Sequence, residues 1–428
     1  MALLRTVTLG CKVNQYETEF VRQALVGAGY RDATEGETAD VCIVNTCTVT
    51  AEGDSKSRQV IRRLARHNPG TRIVVMGCYA TRAAEEVAAL PAVAEVVTDK
   101  RELPDLLGRF GVVDVPNGIS AFGNRRRAFV KVQDGCLLRC TFCIIPQVRP
   151  HPASRPLAHV EAEAARLTVA GHREIVLTGI HLGHYGVEWC RGRAKDDWTR
   201  LAQLVTRLAA LEGEFRIRLS SIEATEVTRE LIAAMAAHPQ RVCPHLHVSM
   251  QSGSDAVLAR MGRRWGRQRY VDRCRLVRDS LPEPALTTDI IVGFPGETEA
   301  DFEATCEVVR AVRFSKIHIF PFSPRRGTPA ATMPHQVSAE VKADRVRRLA
   351  DLERELRGEY FARLVGRRLE VLVEDYRLSG NRMAGTACRY APVELHCGAE
   401  LVGRLATVTA LSATESGILA QLADSTKS

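Results

Sequence analysis

Asp134-Gly-Cys-Leu-Leu-Arg-Cys-Thr-Phe-Cys-Ile-Ile-Pro146 governs how the rest of the chain is read. It spaces Cys136, Cys140 and Cys143 as C-x3-C-x2-C, directly after a strand-like run at residues 129–132. Three thiolates on one tight loop can each hold one iron of a cubane [4Fe–4S] cluster, which leaves the fourth iron without a protein ligand. An open position on a metal is where substrate chemistry takes place. Zinc demands four ligands, and the nearest spare one, His151, fits awkwardly.

Downstream of this loop the chain repeats a simple unit. Strand-like segments at 129–132, 175–178, 216–220, 245–250, 288–292 and 317–320 are separated by amphipathic helical stretches such as 157–170 and 198–210. Six β-α units predict a partial or open barrel, since a closed one needs eight. Strand ends at Thr178-Gly179, Ser249-Met-Gln-Ser-Gly253 and Asp289-Ile-Ile-Val-Gly-Phe-Pro-Gly-Glu297 are expected around the same mouth as the three cysteines. Glu223, Gln251 and Glu297 are candidate polar contacts there, with helix capping as the alternative role.

Upstream, residues 1–100 alternate strand and helix. The strands are expected at 6–9, 41–44, 72–76 and 93–97, and the helices at 14–28, 54–67 and 82–90. That is the pattern of a doubly wound parallel sheet. Cys11 follows Thr8-Leu9-Gly10, Cys47 follows Val44-Asn45-Thr46, and Cys78 follows Val75-Met76-Gly77. Each lies just past the C-terminal end of a strand, and in a parallel sheet those ends share one edge. The three are therefore expected to converge as a second three-cysteine site, the alternative being three small core residues. Cys42, within a strand, and Cys190, Cys243, Cys274, Cys306, Cys388 and Cys397, without ligand spacing, are read as core.

Residues 106–122 look like a linker and 336–365 like one charged helix. After Gly366, short β-like runs at 369–373, 391–395, 401–411 and 416–422 with glycine turns predict a small all-β module.

Composition agrees with a multidomain globular protein. The 428 residues are 45% hydrophobic and 25% charged. They include no apolar run of about 18 residues, so no membrane span is expected. The first residues lack the apolar core of a signal peptide, which predicts a cytoplasmic protein. There the thirteen cysteines are expected in metal or redox chemistry rather than in disulfides. The net charge of +9 is carried by the middle of the chain, densest at residues 260–278, with eight arginines against one acid, Asp272. Such a run suits either a polyanion or a solvated helix face.

The C-x3-C-x2-C spacing, with Phe142 before the last cysteine, resembles the radical S-adenosylmethionine (SAM) superfamily, and the whole chain resembles the methylthiotransferase family within it. Gly10-Cys-Lys-Val-Asn-Gln-Tyr-Glu17 and Asn45-Thr-Cys-Thr-Val49 are similar to the subgroup acting on threonylcarbamoyladenosine in tRNA. So are Leu177-Thr-Gly-Ile-His-Leu-Gly-His-Tyr-Gly186, Met250-Gln-Ser-Gly-Ser254 and Pro321-Phe-Ser-Pro-Arg-Arg-Gly-Thr328. The isopentenyladenosine subgroup usually has Gln-Met-Asn where this chain has Lys12-Val13-Asn14, and the ribosomal-protein subgroup differs at the same place. Ala224 and Phe322 depart from the common Pro and Tyr, and the TRAM-like segment is net neutral.

The resemblance implies an N-terminal domain over residues 1–115, a radical SAM core over 122–355 and a TRAM domain over 360–426. In fold class this is an α/β protein: a doubly wound sheet, a partial (β/α)6 barrel and a small all-β barrel. It implies two [4Fe–4S] clusters, an auxiliary one on Cys11, Cys47 and Cys78 and a catalytic one on Cys136, Cys140 and Cys143. It implies SAM held near Phe142, Thr178, Gly179, Glu223, Gln251 and Glu297. The implied reaction cleaves SAM to a 5′-deoxyadenosyl radical, which takes hydrogen from C2 of the adenine. The product is 2-methylthio-N6-threonylcarbamoyladenosine. The implied partners are a tRNA anticodon stem-loop, SAM, an external electron donor and a sulfur source. The alternatives are isopentenyladenosine in tRNA or a ribosomal protein as substrate, or a non-catalytic RNA-binding iron–sulfur protein.

Overall fold

The computed structural model describes residues 1–123, 125–190, 192–194, 199–377 and 382–423. Three sheet systems follow one another along the chain.

The first is a five-stranded, all-parallel sheet. Its strands are β1 (Leu3–Thr8), β2 (Arg31–Asp32), β3 (Val41–Thr46), β4 (Arg72–Gly77) and β5 (Val93–Val96), in the order β2-β1-β3-β4-β5. Strand residues alternate between two faces. Val41, Ile43, Val74 and Met76 meet the helices Lys12–Gly27 and Leu103–Arg109. Cys42, Val44, Ile73 and Val75 meet the helix Ala51–His67 through Ile61 and Leu64. The helix expected at 82–90 is instead two short ones, Cys78–Arg82 and Ala84–Ala88, broken at Ala83, whose φ of −139° and ψ of 54° are not helical.

The segment read as a linker is not one. Leu106 and Leu107 are helical, Phe110 and Val112 join the core of the first sheet, and Ile119 and Phe122 join the central core. Its glycines and prolines mask a periodicity that burial then enforces.

The central system contains β6 (Arg127–Asp134), β7 (Ala153–Ser154), β8 (Glu174–Gly179), β9 (Arg216–Leu219), β10 (His245–His247), β11 (Ala285–Val292) and β12 (Lys316–Pro321). Six of these run parallel in the order β6-β8-β9-β10-β11-β12. The bridges Ile217–Val242 and Ile222–Val248 join β9 to β10, and β7 pairs antiparallel on the outer edge of β6. The barrel is left open between β6 and β12. One helix, Leu201–Ala209, falls within the stretch expected at 198–210; Trp198 lies outside the described residues.

The helix Ala339–Leu364 leads to a closed five-stranded barrel of β13 (Arg368–Arg377), β14 (Arg382–Ala387), β15 (Pro392–His396), β16 (Leu405–Ala413) and β17 (Ile418–Leu422). Residues 424–426, at the end of the expected C-terminal domain, lie outside the described residues. β14 was not expected: Met383-Ala-Gly-Thr-Ala387 is built from small residues with little strand preference, and its pairing with β13 and β15 makes it a strand. This barrel seats on the bottom of the central one. Arg216 and Arg218, buried on β9, flank the buried Glu174, and they donate to the main-chain carbonyls of Glu370, Thr386, Ala387 and Cys388. No helix among the described residues is long and apolar enough to cross a membrane.

Candidate active site between two cysteine triads

Parallel register builds the first triad. Thr8 pairs with Asn45 and Asn45 with Met76, while Thr46 pairs with Gly77, so β1, β3 and β4 end side by side. Cys47 is the first residue after β3, Cys78 the first after β4, and Cys11 caps the helix Lys12–Gly27. Asn14 donates to the carbonyls of Leu9 and Thr46, and Asn45 donates back to the Asn14 carbonyl, which lashes the strand ends together.

Two glycines permit the approach. Gly10 has φ +105°, and a Cβ there would stand 2.9 Å from the Cys47 Cβ. Gly77 has φ +98°, and a Cβ would stand 2.4 Å from the Thr46 carbonyl oxygen. Gly77→Ala is therefore expected to cost about 3 kcal/mol or more, because strained backbone and a main-chain clash add. Chemical denaturation of the apoprotein, with iron quantification after reconstitution, reads both the loss of stability and the loss of the first triad's metal.

Cys11 is exposed, Cys47 half-buried and Cys78 buried. Burial pushes the Cys47 and Cys78 thiols up, while Arg149 pulls Cys78 back toward the thiolate; charge on Cys11 raises both, so the three sense one another.

The second triad sits on the loop after β6. Gly135, φ +74°, lets this loop pass the His151 carbonyl, which a Cβ would meet at 2.3 Å. The Cys143 amide donates to the Cys140 carbonyl at 3.1 Å, and Thr141 ties the loop to the carbonyls of Met261 and Arg260. Burial pushes the Cys143 thiol up to about 12 and raises Cys140. His181 Nδ1 lies 3.9 Å from Cys136 Sγ. Burial opposes charge on His181, but Cys136 and Glu226 override it and lift the imidazole to about 9.

The two triads adjoin. Cys78 packs against Ile144 and Val148, which follow Cys143 directly. Arg149 then spans the gap. Its carbonyl accepts from the Cys136 amide at 3.1 Å, and its Nε donates to Cys78 Sγ at 3.3 Å. Its remaining N–H groups donate to Glu17 (2.9 and 3.0 Å), Asp134 (2.7 Å) and Asn14 Oδ1 (2.9 Å). Lys100 and Lys131, both half-buried, join Glu17 and Asp134 behind the first triad. Burial and the neighbouring cations push the Lys100 ammonium well down and lower Lys131, which leaves Arg149 as the firm positive charge there. Arg149, the one of these groups in contact with a cysteine sulfur, favours a thiolate there. Three free thiols at one sheet edge that act on one another electrostatically, with a guanidinium on one of them, fit an iron–sulfur cluster with one open iron.

The other sequence candidates divide. Phe142 packs edge-on against Phe294, with centroids 6.4 Å apart, and lies under the Arg263 guanidinium at 5.5 Å. Glu223 accepts from Arg263 at 2.5 Å and from Trp265 Nε1 at 3.1 Å, which brings it beside Cys140. Thr178 and Gly179 end β8, and a Cβ on Gly179 would stand 3.1 Å from the Gln133 side chain. Gln251 adopts φ +66° and bridges to β11 through its own main chain. Glu297 is turned to other work: it accepts from the Gly293 amide at 2.5 Å and from Arg345 at 2.7 Å, clamping its turn to the long helix.

Arg149, Arg263 and His181 were missed as site residues. His181 stands inside the quoted Leu177–Gly186 stretch and Arg263 inside the basic run, while Arg149 lies three residues past the quoted cysteine loop. The basic run at 260–278 also splits. Arg263 is buried, Arg267 pairs with Glu307, and Arg278 donates to main-chain carbonyls, which leaves Arg264, Arg269 and Arg275 exposed.

Residues 4–99 match the family described as Uncharacterized protein family UPF0004, and residues 130–309 match the Radical SAM superfamily. Threonylcarbamoyladenosine tRNA methylthiotransferase MtaB of Bacillus subtilis is 41% identical over 434 residues, covering 96% of this chain and 94% of that protein. The protein of the same name from Thermotoga maritima is 38% identical, covering 99% and 98%. A tRNA-2-methylthio-N(6)-dimethylallyladenosine synthase from Nocardioides sp. is 38% identical, covering 94% and 85%. Among solved structures, the radical SAM methyltransferase TsrM from Kitasatospora setae, with cobalamin and a [4Fe–4S] cluster bound, aligns with a TM-score of 0.56 at 16% identity over 77% of each chain. OxsB, a cobalamin-dependent SAM radical enzyme, aligns with a TM-score of 0.53 at 13% identity, over 82% of this chain and 56% of that one. These two likenesses concern the fold.

Proposed function

The chain belongs to the radical SAM methylthiotransferase family, and from that premise we propose that it methylthiolates C2 of N6-threonylcarbamoyladenosine next to the tRNA anticodon. The observation that carries this reading is the pair of adjoining three-cysteine sites joined by Arg149. A transfer that needs both a radical and a sulfur needs two reaction centres within reach of one base.

Cys136, Cys140 and Cys143 are proposed to hold the catalytic cluster, and Cys11, Cys47 and Cys78 the auxiliary one. With one iron left open at each site, such clusters supply an electron to the SAM sulfonium and a place for the sulfur to be transferred. The chain's own residues do the rest. Arg149 fixes the spacing of the two loops. Arg149 offsets thiolate charge at Cys78. Phe142, Phe294 and Phe322 wall the second triad with apolar surface that excludes water. Glu223, fixed by Arg263 and Trp265, is proposed as a polar contact to SAM, together with the Thr178-Gly179 and Gln251 turns.

In this reading residues 1–115 carry the auxiliary site, 122–355 the SAM chemistry and 360–426 an RNA contact. Electrons and sulfur come from outside the chain. The target base, in a single-stranded loop, is splayed out for reaction.

The test is mass spectrometry of nucleosides from tRNA incubated anaerobically with reconstituted protein, reductant and SAM. The parent is expected to form the methylthio adduct. Cys136→Ala should abolish both adduct and 5′-deoxyadenosine. Cys78→Ala should abolish the adduct yet still form 5′-deoxyadenosine. Each variant should retain about half the parent's iron if each triad holds one cluster. Adduct formation that survives Cys78→Ala would overturn the two-site reading.

A further inference from the structure

The open barrel encloses a second polar cavity, of about 310 Å³, at the lower end of the range for small-molecule sites. It lies below the cysteine sites. His247, Asp289 and His318 face into it from β10, β11 and β12. Asp289 pairs directly with His318 in the sheet, and Thr287, two residues from Asp289, pairs with His247, so all three side chains share the inner face. One ligand atom from each lies within 4.8 Å of the others.

His247 Nε2 is 3.1 Å from Asp289 Oδ2, yet it is buried without an aligned hydrogen-bond partner. Lys12, the residue after Cys11, lines the same cavity and acts electrostatically on His318. It makes no hydrogen bond or ion pair among the described residues. Phe320, two residues beyond His318 on the open edge strand, is half exposed, a flat face on which a splayed base can stack.

Buried polar groups without partners are costly, and a cavity lined with them is shaped for a ligand that pairs them. We propose that this cavity takes the threonylcarbamoyl group of the substrate. Lys12 and His318 meet its carboxylate, Asp289 accepts from its hydroxyl or ureido N–H, and Phe320 stacks on the adenine. The proposal rests on the functional reading above and adds the residues that choose the substrate. Lys12 places the cavity's mouth next to Cys11, so a base seated by its N6 substituent in the barrel has its ring near the first triad. A dimethylallyl group has no polar atom to offer. It would leave the Lys12 ammonium and the buried His247 Nε2 without a new partner, the situation in which hydrogen-bonding sites reject an apolar analogue most strongly.

The test uses reconstituted full-length protein and synthetic anticodon stem-loops bearing threonylcarbamoyladenosine, its methyl ester or dimethylallyladenosine, with binding followed anaerobically by fluorescence anisotropy. The parent is expected to bind the free acid about 10–100-fold more tightly than the ester, the factor carried by one charge-assisted hydrogen bond. Lys12→Met and His318→Leu, at parental iron content, are expected to bind acid and ester alike. A parent indifferent to esterification would overturn the proposal. So would variants that keep the preference, or a stoichiometric zinc present in the parent and lost from His318→Leu. Failure of the functional reading looks different: methylthio product would form on the dimethylallyl stem-loop and not on the threonylcarbamoyl one.

Discussion

Arg149→Met is expected to reduce methylthio-adduct formation by at least about 100-fold and to strip iron from the first triad, while 5′-deoxyadenosine still forms. The guanidinium satisfies Glu17, Asp134, Asn14 and Cys78 at once, and methionine supplies none of those donors. Deleting one partner of a buried charge network costs about 3–5 kcal/mol, because the remaining charges stay behind unpaired. Here Lys100 and Lys131 remain to neutralise the two carboxylates, so the fold should survive. What is lost is the positive charge on Cys78, the most buried thiol of its triad. The main-chain bond from Cys136 to the residue 149 carbonyl needs no side chain, and SAM cleavage persists for that reason. Arg149→Lys separates charge from shape: a compact ammonium cannot span four acceptors, so it should recover iron binding only in part. Iron per chain, 5′-deoxyadenosine and adduct, measured on the same preparations, give the three readouts. Full adduct yield from Arg149→Met would remove this residue from the mechanism.

Glu174→Gln is expected to be the most destabilising single exchange in the barrel, by about 3–5 kcal/mol. Burial alone would raise the Glu174 carboxyl. Arg218 and Arg216 override it and hold the group far below the usual carboxylate range. The carboxylate is the shared counter-ion of both arginines, and the amide leaves two buried guanidinium charges with main-chain carbonyls and a single carboxylate, that of Glu370 at 3.4 Å from Arg216. Because the folded-state carboxyl is depressed, its contribution is complete above the unfolded value of about 4.3. It drains away as pH falls below that value toward the depressed one. Urea unfolding at neutral pH and at progressively lower pH should therefore show the parent converging on the variant in acid. An unchanged midpoint in the variant would mean that the arginines are satisfied by the C-terminal barrel alone.

Much of this architecture could be read before any coordinates. Alternation of strand and helix with short connections identifies the first sheet, and once the strands are parallel, Cys11, Cys47 and Cys78 must meet at one edge. The six strands of the open barrel announce themselves by apolar runs such as Ile290-Ile-Val292. What escaped is what tertiary structure decides. β14 lacks residues with strand preference and exists because its neighbours pair with it. Residues 106–122 read as a linker because glycine and proline interrupt them, yet Leu106, Leu107 and Phe110 find a core. Arg149 meets Glu17 across 132 residues, a separation at which sequence carries no pairing signal. Glu297 shared a turn with the expected mouth, but Arg345, on a helix 48 residues away, claims its carboxylate.

The seat of the C-terminal barrel has one more consequence. Arg216 and Arg218 grip it by backbone oxygens of Glu370, Thr386, Ala387 and Cys388, and every amino acid carries that atom. Those bonds read the path of a strand, and what the strand spells enters at a few positions, Glu374 and Thr386 with Arg127 and Tyr390 stacked on His245 among them. The module can thus be rewritten residue by residue on its outer surface, or exchanged for another barrel of the same curvature, while the chemistry above it stays undisturbed. If this module makes the proposed RNA contact, that contact can diverge without touching the reaction.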